Sequence, residues 1–376
     1  MNTKQIISLR HELHQHPELS NAEIQTSRRI AEFMSHMKPD EVIPLGSTGF
    51  AFVFNGKLPG KCLMFRAELD ALPIREESGL TYASISNGVA HACGHDGHMA
   101  IVAGLAQKIV SSRPVKGRVV LLFQPAEEVE QGARDVVENP LFSSIAPDMV
   151  FALHNIPGAE SNHVLLRSGT FAAASKGVTV RLTGKTSHAA EPEKGLSPVK
   201  AIAQIIDSLD RLKTEKELFR EMVLLTIIGL KMGDTSFGTT PGNAELMITL
   251  RAFRNDDMEV LTRYTEEAIQ KIAREQFLGC SFAYCEDFPA VVNDPACVRM
   301  VLQAAEDLGL ITVTLGEPFR WSEDFSYFTS RYPGCLFGIG GGKNHAQLHN
   351  PDYDFPDEII ETGVNIFFNI YQNTNL

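Results

Sequence analysis

The sequence has few basic residues and no long hydrophobic run, and each shortage excludes a class of partner. Its 34 Lys and Arg residues are outnumbered by 46 Asp and Glu residues, so the formal charge is −12 at pH 7. Nucleic acid binding needs concentrated positive charge, which argues against a nucleic acid partner. The longest apolar run, 222–230, is far shorter than the roughly 20 residues of a transmembrane helix. The N-terminus also lacks the apolar stretch of a secretory signal, so we expect a cytoplasmic protein without a membrane partner.

Cysteine is also scarce, with six residues scattered over 376 positions. In a reducing compartment these residues should be thiols rather than disulfides. Any cysteine with a special role should therefore be a metal ligand or a nucleophile.

The order of the apolar runs predicts an α/β fold. The runs 50–54, 61–66, 118–123 and 149–153 have the length of buried strands, and helical spacing occurs at 99–110. Strands that alternate with helices predict a mostly parallel sheet flanked by helices. Near the N-terminus, Ser20 with Glu23 three residues later predicts a helix N-cap and its capping box.

The middle of the chain has a different pattern. Its order of strand, helix, strand, strand, helix and strand is that of a ferredoxin-like α+β domain. A chain of 376 residues usually exceeds one core. We therefore predict a discontinuous α/β domain formed by residues 1–175 and 290–376, with a second domain, 176–289, inserted into it.

Chargeable side chains follow several of the predicted strands. Asp70, the pair Glu127 and Glu128, and His154 each come soon after an apolar run, and His349 follows the run 335–339 by way of a glycine triplet. Ligands of open α/β sheets bind at the carboxyl ends of the strands. The sequence therefore predicts a binding site at this edge of the sheet.

The densest group of such residues is the segment 91–98, HACGHDGH, with one thiol, three imidazoles and one carboxylate. We predict that it forms a tight loop, which Gly94 and Gly97 permit, before the helix at residue 99. Cys93 and His95 are of the types that zinc and similar ions prefer.

Each of these features also has an ordinary structural explanation. A lone Cys-x-His pattern is a weak metal signal, and an acidic pair such as Glu127 and Glu128 is usually a solvated turn. His154 could be a hydrogen-bonded core residue, and His349 could lie in a surface loop. Their joint occurrence near strand ends favours a site.

Taken together, the motifs resemble those of the M20 metallopeptidases, and within them aminoacylases, hippurate hydrolases, auxin-conjugate hydrolases and N-acetyl-diaminopimelate deacetylases. The resemblance runs almost end to end. It is carried by the segments 13–20 (LHQHPELS), 66–73 (RAELDALP), 92–98 (ACGHDGH), 124–128 (QPAEE), 153–155 (LHN), 187–190 (SHAA), 322–325 (SEDF) and 348–351 (LHNP).

This resemblance implies a catalytic domain that binds two divalent metal ions, and Zn, Mn, Co and Ni all fit the residue types. It implies that Cys93 is the ligand shared by both ions. Glu128 and His349 would complete one ligand set, and His95 and His154 the other. The inserted domain would be a lid, and through it the chain could form a homodimer.

The resemblance also implies roles for residues that bind no metal. Glu127 matches the catalytic base, and Asp70 matches an acid that orients a neighbouring ligand. His188 matches a lid histidine that stabilises the oxyanion, although a simple turn residue is the alternative. Arg251 matches an arginine that holds a substrate carboxylate, although an ion pair on a lid strand explains it equally well.

The chain departs from the family pattern at two places. Glu68 stands where an Asp is common in this branch. Gly238 stands where the lid usually carries an Asn that contacts substrate or oxyanion. Asn243 is a candidate to bind substrate in its place.

The function implied by the resemblance is hydrolysis of N-acyl amino acids, such as N-acetyl or N-benzoyl derivatives. A dipeptidase or carboxypeptidase of the same superfamily is the alternative, since the metal chemistry would be the same. A third alternative is a binding protein that has kept the fold without catalysis.

Overall fold

The structure is a computed structural model and describes residues 1–374. The chain folds into two compact units. Unit 1 comprises Met1–Phe171, Val291–Pro318 and Glu323–Leu376, and unit 2 comprises Ala172–Ala290 and Phe319–Ser322. The division made from the sequence, with its catalytic and lid domains, stays a prediction.

Strands and helices occur throughout both units. The strands are β1 (Glu41–Leu45), β2 (Gly49–Asn55), β3 (Leu58–Glu68), β4 (Lys116–Gln124), β5 (Met149–Pro157), β6 (Val164–Leu166), β7 (Gly169–Ala172), β8 (Ala174–Thr183), β9 (Ser187–His188), β10 (Val223–Met232), β11 (Thr239–Thr240), β12 (Asn243–Ala252), β13 (Gly279–Phe288), β14 (Val291–Asn293), β15 (Thr312–Thr314) and β16 (Gly334–Gly342). The α-helices are α1 (Thr3–Gln15), α2 (Ile24–Ser35), α3 (His95–Ser111), α4 (Gly132–Glu138), α5 (Val199–Leu212), α6 (Asn255–Glu275), α7 (Pro295–Asp307), α8 (Ser326–Thr329) and α9 (Ile360–Asn373).

Unit 1 is built on an eight-stranded sheet of order β1-β2-β4-β3-β5-β16-β6-β15. Its central strands β4, β3, β5 and β16 are parallel to one another. Antiparallel pairing occurs where β1 meets β2, where β2 meets β4 and where β16 meets β6. The predicted α/β fold with a mostly parallel sheet flanked by helices is confirmed.

Strand β3 shows why the central strands are continuous apolar runs. Residues 62–68 are all buried, so alternate side chains enter the protein interior on both faces of the sheet. Leu63 and Phe65 join the core that contains α3 and α9, while Met64 is equally buried on the opposite face. Burying a side chain of this size contributes roughly 1.5–3 kcal/mol, and a parallel sheet covered on both faces needs this at nearly every position.

Helix α3 begins at His95, so the predicted loop is too long at its C-terminal end. Gly94 does make the turn, with φ of +93°. Gly97, however, is helical, and a Cβ there would lie 2.3 Å from the ring of Phe355. This glycine is therefore required for close packing, and His95 and His98 lie in the first helical turn.

The predicted capping box at the start of α2 is wrong. The N-cap residue is Glu23, and its side chain makes no capping hydrogen bond. Its carboxylate instead accepts a hydrogen bond from the backbone N–H of Ala126 (2.9 Å), and Ser20 Oγ donates to Asp70 (2.7 Å). These long-range bonds, which local sequence does not reveal, override the local capping pattern.

Unit 2 has a four-stranded sheet of order β10-β12-β8-β13 in which all neighbours are antiparallel. This is the strand order of a ferredoxin-like fold. Helix α5 buries Ile202, Ile205 and Leu209 in the core that it shares with α6 and the sheet, as the three- and four-residue spacing of an amphipathic helix requires. No helix within residues 1–374 is long and apolar enough to cross a membrane.

A buried ionic cluster ties α1 to the rest of unit 1. The Arg10 side chain is fully buried and lies 3.2 Å from Asp96, 2.6 Å from Asp354 and 2.8 Å from Asp357. Asp96 belongs to the first turn of α3, and the other two acids follow His349 in the chain. Removing one of the two fully buried members, Arg10 or Asp96, typically costs about 3–5 kcal/mol, because the other buried charge loses its partner.

His14, in the same cluster, should make stability depend on pH. Its Nδ1 lies 2.9 Å from Asp96 and its Nε2 lies 3.2 Å from Glu76. Burial opposes a charge on the ring, but the charge of Asp96 and the hydrogen bonds to both acids outweigh it and raise the pKa of His14 from 6.5 to about 9. Because the folded-state pKa is the higher one, this stabilisation is complete below pH 6.5 and is lost as the pH rises through 9.

We therefore expect the free energy of unfolding to fall by up to about 3 kcal/mol across this pH window. Urea denaturation at several pH values measures this fall in the wild type and in His14→Gln, with His36→Gln as the exposed control. The free energy of unfolding of His14→Gln should depend less on pH than that of the wild type or of His36→Gln. Equal slopes in all three proteins would contradict the assignment.

Candidate metal centre

The predicted site residues of unit 1 converge at the carboxyl ends of the central strands. Asp70 follows β3, Glu127 and Glu128 follow β4, and His349 follows β16. His154 lies within β5, which continues three residues beyond it. The chain passes from β3 to β4 on one side and then to β5 on the other side of β3, so the site lies at the reversal of strand order where α/β proteins bind ligands.

Five overlapping groups of side chains among the described residues could each hold a metal ion, and two of these groups share Cys93. The ligand atoms of Cys93, His95 and His154 lie within 4.8 Å of one another, and so do those of Cys93, Glu128 and His349. Cys93 belongs to both groups. The geometry thus brings together the same two sets that the family resemblance implies, although the roles of these residues as ligands stay a prediction.

Hydrogen bonds orient His95 towards the cluster. Its Nδ1 donates to the backbone carbonyl of Asp70 at 2.9 Å and lies 3.4 Å from the Asp70 carboxylate. In the neutral ring this leaves Nε2 as the lone-pair nitrogen. Burial lowers the pKa of His95, but the hydrogen bond to Asp70 and the charges of Glu68 and Glu128 outweigh it and raise the pKa to about 10, so a metal ion has to displace a proton from Nε2. The Nε2 atom is buried and has no hydrogen-bond partner among the described residues, and it lies 3.7 Å from Glu127 and 3.8 Å from Glu128.

His154 is oriented in the same way from β5. Its Nδ1 lies 2.8 Å from the backbone carbonyl of Asn155, and its Nε2 lies 3.6 Å from Cys93 Sγ. Burial, together with the charge of His98, lowers the pKa of His154 to about 3. The ring is therefore neutral at pH 7, which is the form that binds a metal.

His349 reaches the cluster from a loop with unusual backbone geometry. Its φ is +64°, in the left-handed region that non-glycine residues rarely adopt. Its backbone N–H donates to the carbonyl of Ala92 at 2.8 Å, next to Cys93. Its Nε2 lies 3.9 Å from Glu128. The strained conformation costs about 1–3 kcal/mol and places the imidazole beside Cys93 and Glu128, the other members of the second group.

The electrostatics of the cluster favour a bound cation. Burial and the neighbouring Glu323 and Glu128 raise the pKa of Glu127 well above its usual value. Burial raises the pKa of Glu128 to about 7, and burial with the surrounding acids also raises the pKa of the Cys93 thiol. Ionisation of these groups is thus unfavourable without a cation beside them, and a divalent ion would stabilise all of them in their ionised forms.

The residues therefore fit divalent metal ions. His95 Nε2 and Glu128 Oε1 are buried polar atoms without hydrogen-bond partners among the described residues. A donor set of thiolate, imidazole and carboxylate suits zinc and related transition metals better than Mg²⁺ or Ca²⁺.

A buried ionic network lies behind Glu127, and sequence reasoning assigned no role to it. Arg66 contacts Glu68, Glu323 (3.0 Å) and Asp324 (2.6 Å). Gln124 bridges the same groups, accepting from Arg66 at 2.8 Å and donating to Asp324. The sequence signal for this network was that its members lie in the segments 66–73, 124–128 and 322–325 of the family resemblance.

His188, Asn243 and Arg251 belong to unit 2 and are placed within it. His188 is exposed in β9 and pairs with Thr239 of β11. Its Nδ1 accepts a hydrogen bond from the backbone N–H of Ala190 at 3.1 Å, so its Nε2 can act as a donor. The backbone N–H of Ala189 donates to the carbonyl of Gly238 at 2.9 Å. Gly238, which stands where the family pattern has an Asn, therefore lies beside His188.

The other two lid candidates have different surroundings. Arg251 donates to the carbonyl of Arg320 (3.0 Å) and to Ser322 Oγ (2.7 Å), both neutral acceptors. Asn243 is exposed at the start of β12 and lines a surface cavity of about 600 Å³ together with Arg181 and Lys231.

Comparison with known proteins identifies the family of this chain. The family model described as "Peptidase family M20/M25/M40" matches residues 64–373. An N-acetyldiaminopimelate deacetylase of Limosilactobacillus fermentum is 30% identical over 97% of this chain and 96% of its own length. An N-acetylcysteine deacetylase of Bacillus subtilis is 29% identical over 96% of this chain and 94% of its own length.

Solved structures agree with this result. A dinuclear metal-binding peptidase of the M20 family from Bacillus subtilis has a TM-score of 0.84 and 27% identity, and the match covers 98% of this chain and 97% of that one. An aminohydrolase structure from methicillin-resistant Staphylococcus aureus has a TM-score of 0.91 and 27% identity, covering 100% and 97% of the two chains.

Proposed function

Because the chain belongs to peptidase family M20/M25/M40, we propose that it is a metal-dependent amidohydrolase that cleaves N-acyl amino acids to a carboxylic acid and a free amino acid. The observation that carries the proposal is the pair of ligand groups that share Cys93, with Glu127 beside them. Similarity to enzymes named N-acetyldiaminopimelate and N-acetylcysteine deacetylases supports the acyl amino acid substrate class.

The proposed ligands of one ion are Cys93, His95 and His154, and those of the other are Cys93, Glu128 and His349. Zinc or manganese is the proposed metal, with cobalt and nickel compatible with the same donors. When bound, two such ions polarise an amide carbonyl and lower the pKa of a water molecule to roughly 7.

Glu127 is proposed as the general base. It lies next to the ligand Glu128 in the chain and 3.7 Å from His95, yet it belongs to neither group that contains Cys93. A base here takes a proton from the attacking water and passes it to the departing amine nitrogen, so that the C–N bond breaks as the carboxylic acid forms. Asp70 is proposed to keep His95 in the tautomer and orientation described above.

His188 is proposed to donate a hydrogen bond to the oxyanion, and Arg251 and Asn243 to bind the substrate. The fixed orientation of His188, with Nδ1 already accepting from Ala190, supports a donor at Nε2.

We expect His188→Ala to lower kcat by roughly 10²–10³-fold without a change in metal content. Steady-state kinetics on an N-acetyl amino acid measure the effect, with His36→Ala as the exposed control. An unchanged kcat would contradict this role.

A panel of substrates distinguishes the proposed activity from its alternative, a dipeptidase or carboxypeptidase. Metal-loaded enzyme should release free amino acid from N-acetyl and N-benzoyl amino acids faster than from unblocked dipeptides of the same residues. Faster cleavage of the unblocked dipeptides would favour the alternative. No hydrolysis of any compound, with both metal sites filled, would favour a non-catalytic binding protein.

We further propose that residues 176–289 form a lid, that the chain forms a homodimer through it, and that the protein is cytoplasmic. The small number and scattered positions of its six cysteines support a reducing compartment. Strand β10 is an edge of its sheet and exposes Ile228 and Leu230, and such apolar edge strands favour pairing with another chain. Analytical ultracentrifugation of Ile228→Lys should show more monomer than the wild type.

A further inference from the structure

The side chain of Asn155 lies at the centre of the ligand-bearing segments of unit 1. The residue is fully buried in β5, directly after His154. Its amide oxygen lies 2.6 Å from His98 Nε2, and its amide nitrogen donates to the hydroxyl of Tyr353 at 2.5 Å. Its backbone carbonyl lies 2.8 Å from His154 Nδ1. None of the roles assigned above uses this side chain.

Each partner of Asn155 lies in or next to a segment that carries proposed ligands. His98 lies one helical turn beyond His95 in α3. Tyr353 closes the turn that follows His349, since its backbone N–H donates to the carbonyl of Asn350 at 3.1 Å. One amide group therefore connects α3, β5 and the loop after β16.

The Cys93 segment also packs against this amide. A Cβ at Gly94 would lie 2.5 Å from the Asn155 amide oxygen and 2.9 Å from the Tyr353 hydroxyl. No side chain fits at that distance, so Gly94 is required here for space as well as for its positive φ. The turn that presents Cys93 and His95 is thus in direct contact with Asn155.

The partner His98 is itself held in place. Its Nδ1 lies 2.8 Å from Glu68, which also contacts the buried Arg66. Glu68 is fully buried, and Arg66 and His98 hold its pKa well below the usual value against the effect of burial. The carboxylate is therefore a fixed acceptor, and His98 presents its other nitrogen to Asn155 in one orientation.

We infer that Asn155 is a positioning residue that holds the segments bearing Cys93, His95, His154 and His349 in register for metal binding. The inference rests on the ligand sets of the proposed function. An amide suits this place because it offers an acceptor and a donor without charge. Leucine has a similar size and offers neither, so each buried partner would lose its hydrogen bond.

The test compares Asn155→Leu with the matched control Asn293→Leu. Asn293 is another buried amide of unit 1, which bonds to Leu336 and Arg167 and is not part of the ligand groups. Each full-length protein is loaded with Co²⁺, and its affinity is measured by competition with a chelator. The thiolate-to-cobalt charge-transfer absorption is recorded as a signature of ligand geometry.

We expect Asn155→Leu to weaken Co²⁺ binding by roughly 10–100-fold and to change the cobalt spectrum, whereas Asn293→Leu should leave both unchanged. Equal affinities and spectra in the two variants would overturn the inference. If Asn155→Leu does not fold, Tyr353→Phe decides the question, since it removes only one hydroxyl. A wild-type spectrum and affinity in Tyr353→Phe would then overturn the inference.

These measurements need no substrate, so they are independent of the proposed activity. If the wild type binds two Co²⁺ ions but hydrolyses no acyl amino acid, the proposed function fails and the inference about Asn155 stands. If the enzyme is active and Asn155→Leu binds Co²⁺ normally, the inference fails and the proposed function stands.

Discussion

Replacing Glu127 by Gln is expected to lower kcat by roughly 10²–10⁴-fold while both metal ions remain bound. The amide keeps the size of the side chain but cannot accept a proton from water. Since Glu127 belongs to neither of the groups that contain Cys93, its loss should leave the proposed ligand sets intact. Metal content of the purified variant and its kcat on an N-acetyl amino acid are the two measurements.

The adjacent residue provides the control for this experiment. Glu128→Gln makes the same chemical change one position later, but it removes a proposed metal ligand 3.9 Å from His349. It should lower metal content as well as activity, and added metal should restore part of the activity. If Glu127→Gln lost metal and Glu128→Gln kept it, the roles of the two acids would have to be exchanged.

Cys93→Ala is expected to abolish activity and to remove both metal ions, since Cys93 is the one residue common to the two groups. His154→Ala and His349→Ala each change a residue that belongs to only one of these two groups. Each should therefore weaken one ion much more than the other. The comparison of the three variants tests whether the thiolate bridges two ions or binds one.

Titration with Co²⁺ monitored by absorption and by equilibrium dialysis gives the number of ions bound to each variant. We expect two ions in the wild type, one tightly bound ion in each histidine variant and none in Cys93→Ala at concentrations that fill the wild type. Retention of one tight ion in Cys93→Ala would show that the cysteine belongs to a single site. His163→Ala, outside both groups, serves as a control for the loss of an imidazole.

Much of the fold followed from local patterns. The apolar runs of the central strands are visible because a parallel sheet covered on both faces buries almost every side chain of β5, β16 and the C-terminal parts of β3 and β4. The order of elements in unit 2 followed from the alternation of apolar and polar residues. Boundaries followed less well: α3 begins four residues before residue 99 because the turn at Gly94 leads directly into the helix.

Local sequence patterns gave wrong predictions where a side chain forms its hydrogen bonds with residues that are distant in the chain. Ser20 and Glu23 have the spacing of a capping box, yet they bond to Asp70 and to the backbone of Ala126. The acidic partners of Arg10 lie 86 to 347 positions away in the chain. No window of sequence contains such pairs, so only the folded chain identifies them.

Some features of the candidate site could likewise be read from the sequence, and others only from the folded chain. The sequence by itself supplied the candidate residue types, because the thiol, imidazole and carboxylate groups of Cys93, His95, Glu128, His154 and His349 are of the kinds that bind transition metals, and the motifs that contain them resemble those of the family. Only the tertiary structure showed how they meet: that the ligand atoms of each group with Cys93 lie within 4.8 Å of one another, that the backbone carbonyl of Asp70 accepts from His95, and that Asn155 connects the segments. The physical reason is that ligand chemistry resides in single side chains, whereas orientation depends on hydrogen bonds between residues that become neighbours only when the sheet has formed.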